Sequence, residues 1–162
     1  MKGKPFNLVA VGGTFDRLHK GHKELLRAAF NIGRKVVIGI TSDKMVARSK
    51  SNAKINSLEK RREVLEKWIK EEGLCDLADY EVVVINDVYG VAIYDEKLEA
   101  LVVSEETLER ALTINRLRRD RNLKPLTIVV VPMVLAYNGK PISSTRIRQG
   151  EIDQEGRPLM VR

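Results

Sequence analysis

FNLVAVGGTFDRLHKGHKELL, residues 6–26, holds an apolar run that stops at paired glycines. Within a few residues follow a threonine, an aspartate and the only two histidines of the chain, His19 and His22. FNLVAVGG reads as a buried strand ended by its glycines. HKELLRAAFNI then places Leu25, Leu26, Ala29 and Ile32 at helical spacing, with Gly33 as the expected C-cap. The unusual residues therefore share one strand-to-helix turn. Glycines let the backbone bend tightly and let a ligand come close to it. A helix start adds unpaired N–H groups and the positive end of the macrodipole, both suited to phosphate.

His19 and His22 are three residues apart and point the same way on a first helical turn, and Gly21 between them leaves room for phosphate oxygens. Two such imidazoles can donate hydrogen bonds to a phosphate whose charge grows during reaction, a stabilising role rather than that of a base. The blander account, a hydrogen-bonded core histidine, suits a polar turn poorly. A metal pair lacks a third histidine or cysteine and has only Asp16 nearby, so no metal ligands are assigned. Neither G-x-G-x-x-G nor G-x-x-x-x-G-K-[ST] occurs, which disfavours a dinucleotide fold and a P-loop.

Working outward, KVVIGIT (35–41), YEVVVIND (80–87), LEALVVS (98–104) and LTIVVVPMV (126–134) read as four further buried strands. SLEKRREVLEKWIKEEG (57–73) is an amphipathic helix capped at Asn56 or Ser57, with Leu58, Leu65, Trp68 and Ile69 as its apolar stripe. Ser104 is expected to cap the helix over residues 106–122, and ISSTRIRQG (142–150) to form a short helix opened by hydroxyls. Residues 41–56 look polar and loop-like. Strands alternating with helices predict an α/β fold, a single Rossmann-like domain over residues 1–162. Its five-stranded, mainly parallel sheet carries helices on both faces. In such sheets ligands bind beyond the strand C-termini at a topological switch point, and the polar clusters all fall there.

Apolar residues make up 43% and charged residues 31% of the 162, a folded rather than disordered composition. No apolar stretch approaches the roughly 20 residues a membrane helix needs, and the short N-terminal run does not read as a signal peptide. Cys75 stands alone, so an internal disulfide is excluded and a reducing cytoplasm is the expected compartment. Twenty-nine basic against 22 acidic residues leave +7, which suits an anionic partner. RLRRDRNLK (116–124) has no interleaved aromatic residue to stack on bases and reads as a solvated helix end, so no nucleic-acid partner is expected.

GGTFDRLHKGH resembles the G-T-F-D-x-x-H-x-G-H signature of the nucleotidyltransferase superfamily, whose members share a Rossmann-like fold. ISSTRIR (142–148) resembles that superfamily's C-terminal phosphate-binding element, and two such motifs in order are far more specific than one. Residues 86–123, with VVSEET followed by INRLR, are similar to the archaeal and eukaryotic type of phosphopantetheine adenylyltransferase. That resemblance implies transfer of an adenylyl group from ATP, with Mg2+, to 4′-phosphopantetheine. Dephospho-coenzyme A and pyrophosphate would be the products.

The resemblance also implies roles. Thr14 and His22 would contact the reacting phosphates, and Lys44 would serve the acceptor phosphate and the α-phosphate. Gly13, Thr14 and Phe15 would line the pockets, with His19 beside the nucleotide. Ser143, Ser144 and Thr145, with Arg146 or Arg148, would hold the β- and γ-phosphates, and Asp16 would orient the turn. Ser104, Glu105 and Glu106 stand where bacterial relatives carry an arginine-glycine loop. No arginine occurs in that block, and Asn115 is the expected replacement toward the acceptor. The competing readings are a glycerol-phosphate cytidylyltransferase or FAD synthetase of the same superfamily, and a non-enzymatic nucleic-acid- or nucleotide-binding module. ISSTRIR argues against the cytidylyl ending, and the oligomeric state is not legible.

Overall fold

The computed structural model describes residues 3–49 and 54–160. Its strands are β1 (Phe6–Gly13), β2 (Gly33–Thr41), β3 (Asp79–Ile85), β4 (Ala100–Ser104) and β5 (Thr127–Val131). They form one sheet in the order β3-β2-β1-β4-β5, and every pairing is parallel. β1 lies at the centre: Val9 faces Val36 of β2 on one side and Ala100 of β4 on the other.

Helices α1 (Lys20–Ile32) and α3 (Leu58–Glu71) cover one face of the sheet, and α4 (Leu108–Asp120) covers the other. Leu26, Ala29 and Phe30 of α1 are fully buried with Leu65 and Ile69 of α3. On the opposite face, Ala111 and Ile114 pack with Ala10, Leu101 and Val103, beside a 3-10 turn at Gly90–Ile93. Burying a side chain the size of Leu or Phe contributes about 1.5–3 kcal/mol, so these layers rather than helix propensity hold the fold.

The connections show where backbone chemistry matters. Gly33 caps α1, its N–H donating to the Ala29 carbonyl, and is also the first residue of β2. Its φ of −105 is extended, not left-handed. A Cβ there would lie 2.8 Å from Cγ2 of Val9, so glycine is needed for the close approach of helix end to strand. Ser57 caps α3 through the Lys60 N–H.

Four expectations need correction. Residues 41–56 are not wholly loop: Asp43–Ser49 form a short helix, α2, whose start is held by Ser42 Oγ accepting from the Met45 N–H. The expected loop residues 50–53 lie outside the described residues. The segment after β4 starts as a 3-10 turn at Glu105–Thr107, and the Ser104 side chain makes no capping bond. The basic run 116–124 is not uniformly solvated, because Arg118 is fully buried. Finally, the Asn115 amide is not turned to an acceptor substrate but pins the backbone of Leu126, donating to its carbonyl and accepting from its N–H.

After β5 the chain folds over the sheet edge. Bridges Leu135–Pro141 and Ile152–Pro158 and the small core of Ala136, Ile142 and Ile152 seat α5 (Ser144–Arg148). The Lys20 N–H donates to the Gln154 carbonyl, which ties this cap to the start of α1.

Candidate active site

From β1 the chain winds outward to β2 and β3, then returns to β4 on the other side of β1. The C-terminal ends of β1 and β4 therefore border the switch point, and the main cleft, about 740 Å³, opens there. Gly12, Gly13 and Thr14 form its floor from β1, with Ser104 at the end of β4.

His19 is the N-cap of α1. Its Nδ1 accepts from the N–H groups of Gly21 (3.0 Å) and His22 (3.4 Å), while His22 Nδ1 accepts from the His19 N–H at 3.2 Å. The two histidines form a reciprocal capping box, a place normally taken by hydroxyl and carboxyl side chains. A nitrogen that accepts carries no proton, so both rings hold their hydrogen on Nε2. The rings stack with centroids 3.7 Å apart and both line the cleft. Burial first, and repulsion from Lys23 second, push the His19 pKa down from 6.5 to about 4, keeping this ring neutral. The glycine between them also makes room for the ring: a Cβ on Gly21 would sit 2.9 Å from Cε1 of His19, and Gly21 itself lines the cleft.

The two sequence signatures meet at Asp16, which is buried. Its carboxylate accepts from Arg148 Nη1 (2.7 Å) and from the Asn56 N–H (2.9 Å), and its carbonyl accepts from Ser144 Oγ at 2.6 Å. Ser143 caps α5 through the Arg146 N–H, and Ser143, Ser144 and Thr145 all line the cleft.

Of the positions singled out from sequence, Gly13, Thr14, His19, His22, Ser104, Ser143, Ser144 and Thr145 meet around this one cavity. The rest stand elsewhere. Phe15 is buried beneath the turn at a left-handed φ of 53, its ring 5.4 Å from that of His22. Arg148 faces Asp16 and Thr145. Lys44 is exposed on the first turn of α2, beside the lining residue Met45. Glu105 is exposed next to the lining residue Glu106, and Asn115 does not line the cleft, although its neighbour Ile114 does.

Sequence reading also missed residues. Arg110, on the first turn of α4, brings the one guanidinium among the described lining residues. Its position three residues past VVSEET, L-E-R, was the available signal. Arg61 is buried behind the turn, donating to the carbonyls of Thr14 and Thr41. It lies four residues before Leu65 and seven before Trp68, on the apolar stripe, where a cation is anomalous. An apolar flank of Val88, Val91 and Met133 completes the cavity.

A cytidylyltransferase-like family profile matches residues 10–150. The phosphopantetheine adenylyltransferase of Thermococcus kodakarensis is 47% identical over 156 residues, covering 96% of this chain and 93% of that protein. The enzyme of the same name from Methanothermobacter thermautotrophicus is also 47% identical, over 96% of this chain and 91% of its own. Among solved structures, a protein of unknown function from Archaeoglobus fulgidus superimposes with a TM-score of 0.67 at 37% identity, over 76% of this chain and 87% of that one. Pantoate-beta-alanine ligase of Francisella tularensis matches with a TM-score of 0.58 at 16% identity, over 88% of this chain and 65% of that one, a likeness of fold.

Proposed function

This chain belongs to the cytidylyltransferase-like family, among its phosphopantetheine adenylyltransferases, and we propose that its cleft carries adenylyl transfer from ATP to 4′-phosphopantetheine. The observation that supports this best is the joint lining of one cavity by two histidine rings protonated on Nε2 and by the hydroxyls of residues 143–145. The whole chain acts as one catalytic domain in the cytoplasm, on small-molecule substrates.

An oxygen of the acceptor phosphate attacks the α-phosphorus of ATP in line. One O–P bond forms, the α–β bridge bond breaks, and pyrophosphate leaves with the electron pair. The attacking oxygen is already anionic, so no base is required, and catalysis is the positioning and neutralisation of two repelling anions. His22 and His19 donate from Nε2 to the α-phosphate as its charge develops. Thr14 donates to the acceptor phosphate. Ser143, Ser144 and Thr145 receive the β- and γ-phosphates, and Arg148 fixes that cap through Asp16 rather than touching the nucleotide. Lys44 reaches from the rim of α2 toward the α-phosphate as a compact mobile charge. Arg110 supplies the guanidinium that the VVSEET block lacks, in place of Asn115.

Among the described residues no three histidine, cysteine or acidic side chains cluster to cage a metal. Asp16 is committed to Arg148 and the Asn56 N–H. Magnesium enters with the triphosphate in this reading, held mainly by its phosphate oxygens.

Pyrophosphate release tests the reading, with ATP or CTP offered against phosphopantetheine, glycerol phosphate or FMN. Turnover only with ATP and phosphopantetheine is expected. Turnover only with CTP, or only with FMN, would reject the substrate assignment.

A further inference from the structure

We propose that Arg61 and Thr41 form a hydrogen-bond relay that turns Thr14 into a one-way donor toward phosphate in the cleft, an assignment that rests on the adenylyl-transfer reading above. The Arg61 side chain is fully buried, and each of its five N–H groups has an acceptor. Nε donates to the Asn56 carbonyl at 2.9 Å. Nη1 donates to the Thr14 carbonyl at 2.8 Å and to Thr41 Oγ1 at 3.3 Å. Nη2 donates to the Thr41 carbonyl at 2.9 Å and to the Asp43 carboxylate at 3.3 Å.

A guanidinium has donors only. Thr41 Oγ1 must therefore receive from it, and the hydroxyl passes its own hydrogen to Thr14 Oγ1 at 3.1 Å. Thr14 in turn has a lone pair occupied and a single hydrogen to direct elsewhere. Thr14 lines the cleft, where the adenylyl-transfer reading puts a phosphate oxygen. An unrelayed hydroxyl would rotate and present lone pairs to that anion as readily as its hydrogen. The buried cation at the head of the chain polarises each bond after it, and such chains strengthen cooperatively in a low dielectric.

The carbonyl contacts of Arg61 already hold the turn to β2. The Thr41 hydroxyl adds nothing to that frame except the link to Thr14, and the Thr41 residue is buried. Arg61 and Thr41 are thus positioning residues for Thr14.

Thr41→Val keeps the shape of the side chain and removes the relay, Thr41→Ser restores it, and Thr14→Val removes its endpoint. Loss of one donor to a developing phosphate charge costs about 10²-fold when direct. For a group acting through another, Thr41→Val is expected to lower kcat/KM for phosphopantetheine roughly 10-fold, with Thr41→Ser within about 2-fold of wild type. The Thr14→Val/Thr41→Val pair should be no slower than Thr14→Val alone, because the second change then has nothing to act through. Wild-type rates in Thr41→Val, or a double variant losing the product of the two single effects, would overturn the relay while leaving adenylyl transfer intact. If the wild type itself turns over no phosphopantetheine, the functional reading falls. The relay is then judged on calorimetric binding of inorganic pyrophosphate. Weaker binding by Thr41→Val supports it; equal binding, or none by the wild type, overturns it.

Discussion

Among the described residues two arginines are buried, one on each face of the sheet, and their surroundings differ. Arg61 stands behind the catalytic turn with every N–H satisfied and the Asp43 carboxylate at 3.3 Å. Arg118, under the opposite face, donates to the carbonyls of Lys124, Ala92 and Asp95, has no carboxylate in contact, and leaves Nη2 without a partner. Burial lowers the Arg118 pKa below its ordinary value, offset in part by the charge of Asp95. Both residues gather carbonyls at the ends of crossovers, where strand geometry leaves them unpaired. Arg61 holds the carbonyls of Thr14, just after β1, and of Thr41, at the end of β2, whereas Arg118 holds that of Ala92 on the apolar side of the same cleft. A buried cation is tolerated on either face, but only the one behind the histidine turn has every N–H satisfied.

The contrast predicts unequal responses. Arg61→Met should lower kcat/KM by about 100-fold or more and cost roughly 3 kcal/mol of stability, since it strands three carbonyls and frees the turn. Arg118→Met should cost about 1–2 kcal/mol and leave turnover near wild type, because it removes an incompletely satisfied charge. Urea unfolding beside pyrophosphate release checks both, and similar losses of rate would erase the distinction. Next in size, His22→Ala should reduce kcat by roughly 100-fold with a much smaller change in ATP affinity. An equal loss of binding would make the imidazole a ground-state contact only.

A smaller effect concerns pH. The His19 pKa is 6.5 when unfolded and about 4 when folded, so the unfolded chain binds the proton first as pH drops. Stability from this group is whole above about pH 6.5, is lost as pH falls toward about 4, and is constant below that. His19→Asn keeps a capping acceptor without titrating. Its unfolding midpoint should therefore fall less steeply than that of wild type across that window; parallel curves would show that His19 does not report it. Smallest of all, Asp43→Asn should cost less than about 0.5 kcal/mol, because the carboxylate is largely exposed and its pair with Arg61 is screened. A large loss there would mean that Arg61 depends on the charge rather than on its carbonyls.

Legibility followed the range of the interaction. The five strands and three long helices could be read because apolar periodicity is local, and the histidine turn because its glycines and caps lie within about ten residues. Lys44 and Asp43 were read as loop because α2 has no buried residues and therefore no apolar stripe to announce it. Asn115 looked like a ligand group because its partner, Leu126, is eleven residues away across a crossover. Arg61 carried no signal of its role because its acceptors come from three other segments.

What the amino-acid order determined alone is the alternation of buried strands and amphipathic helices and the placing of the phosphate-binding chemistry at strand ends, since both rest on short-range sterics and on hydrophobic periodicity. Tertiary structure decided which of those strand ends share a cavity and which hydrogen bonds aim each side chain. Asp16 meets Arg148, and Arg61 meets Thr14, only because parallel crossovers bring remote segments within 3 Å. A hydrogen bond needs donor and acceptor in direct contact, and its direction depends on every partner in the chain of donors.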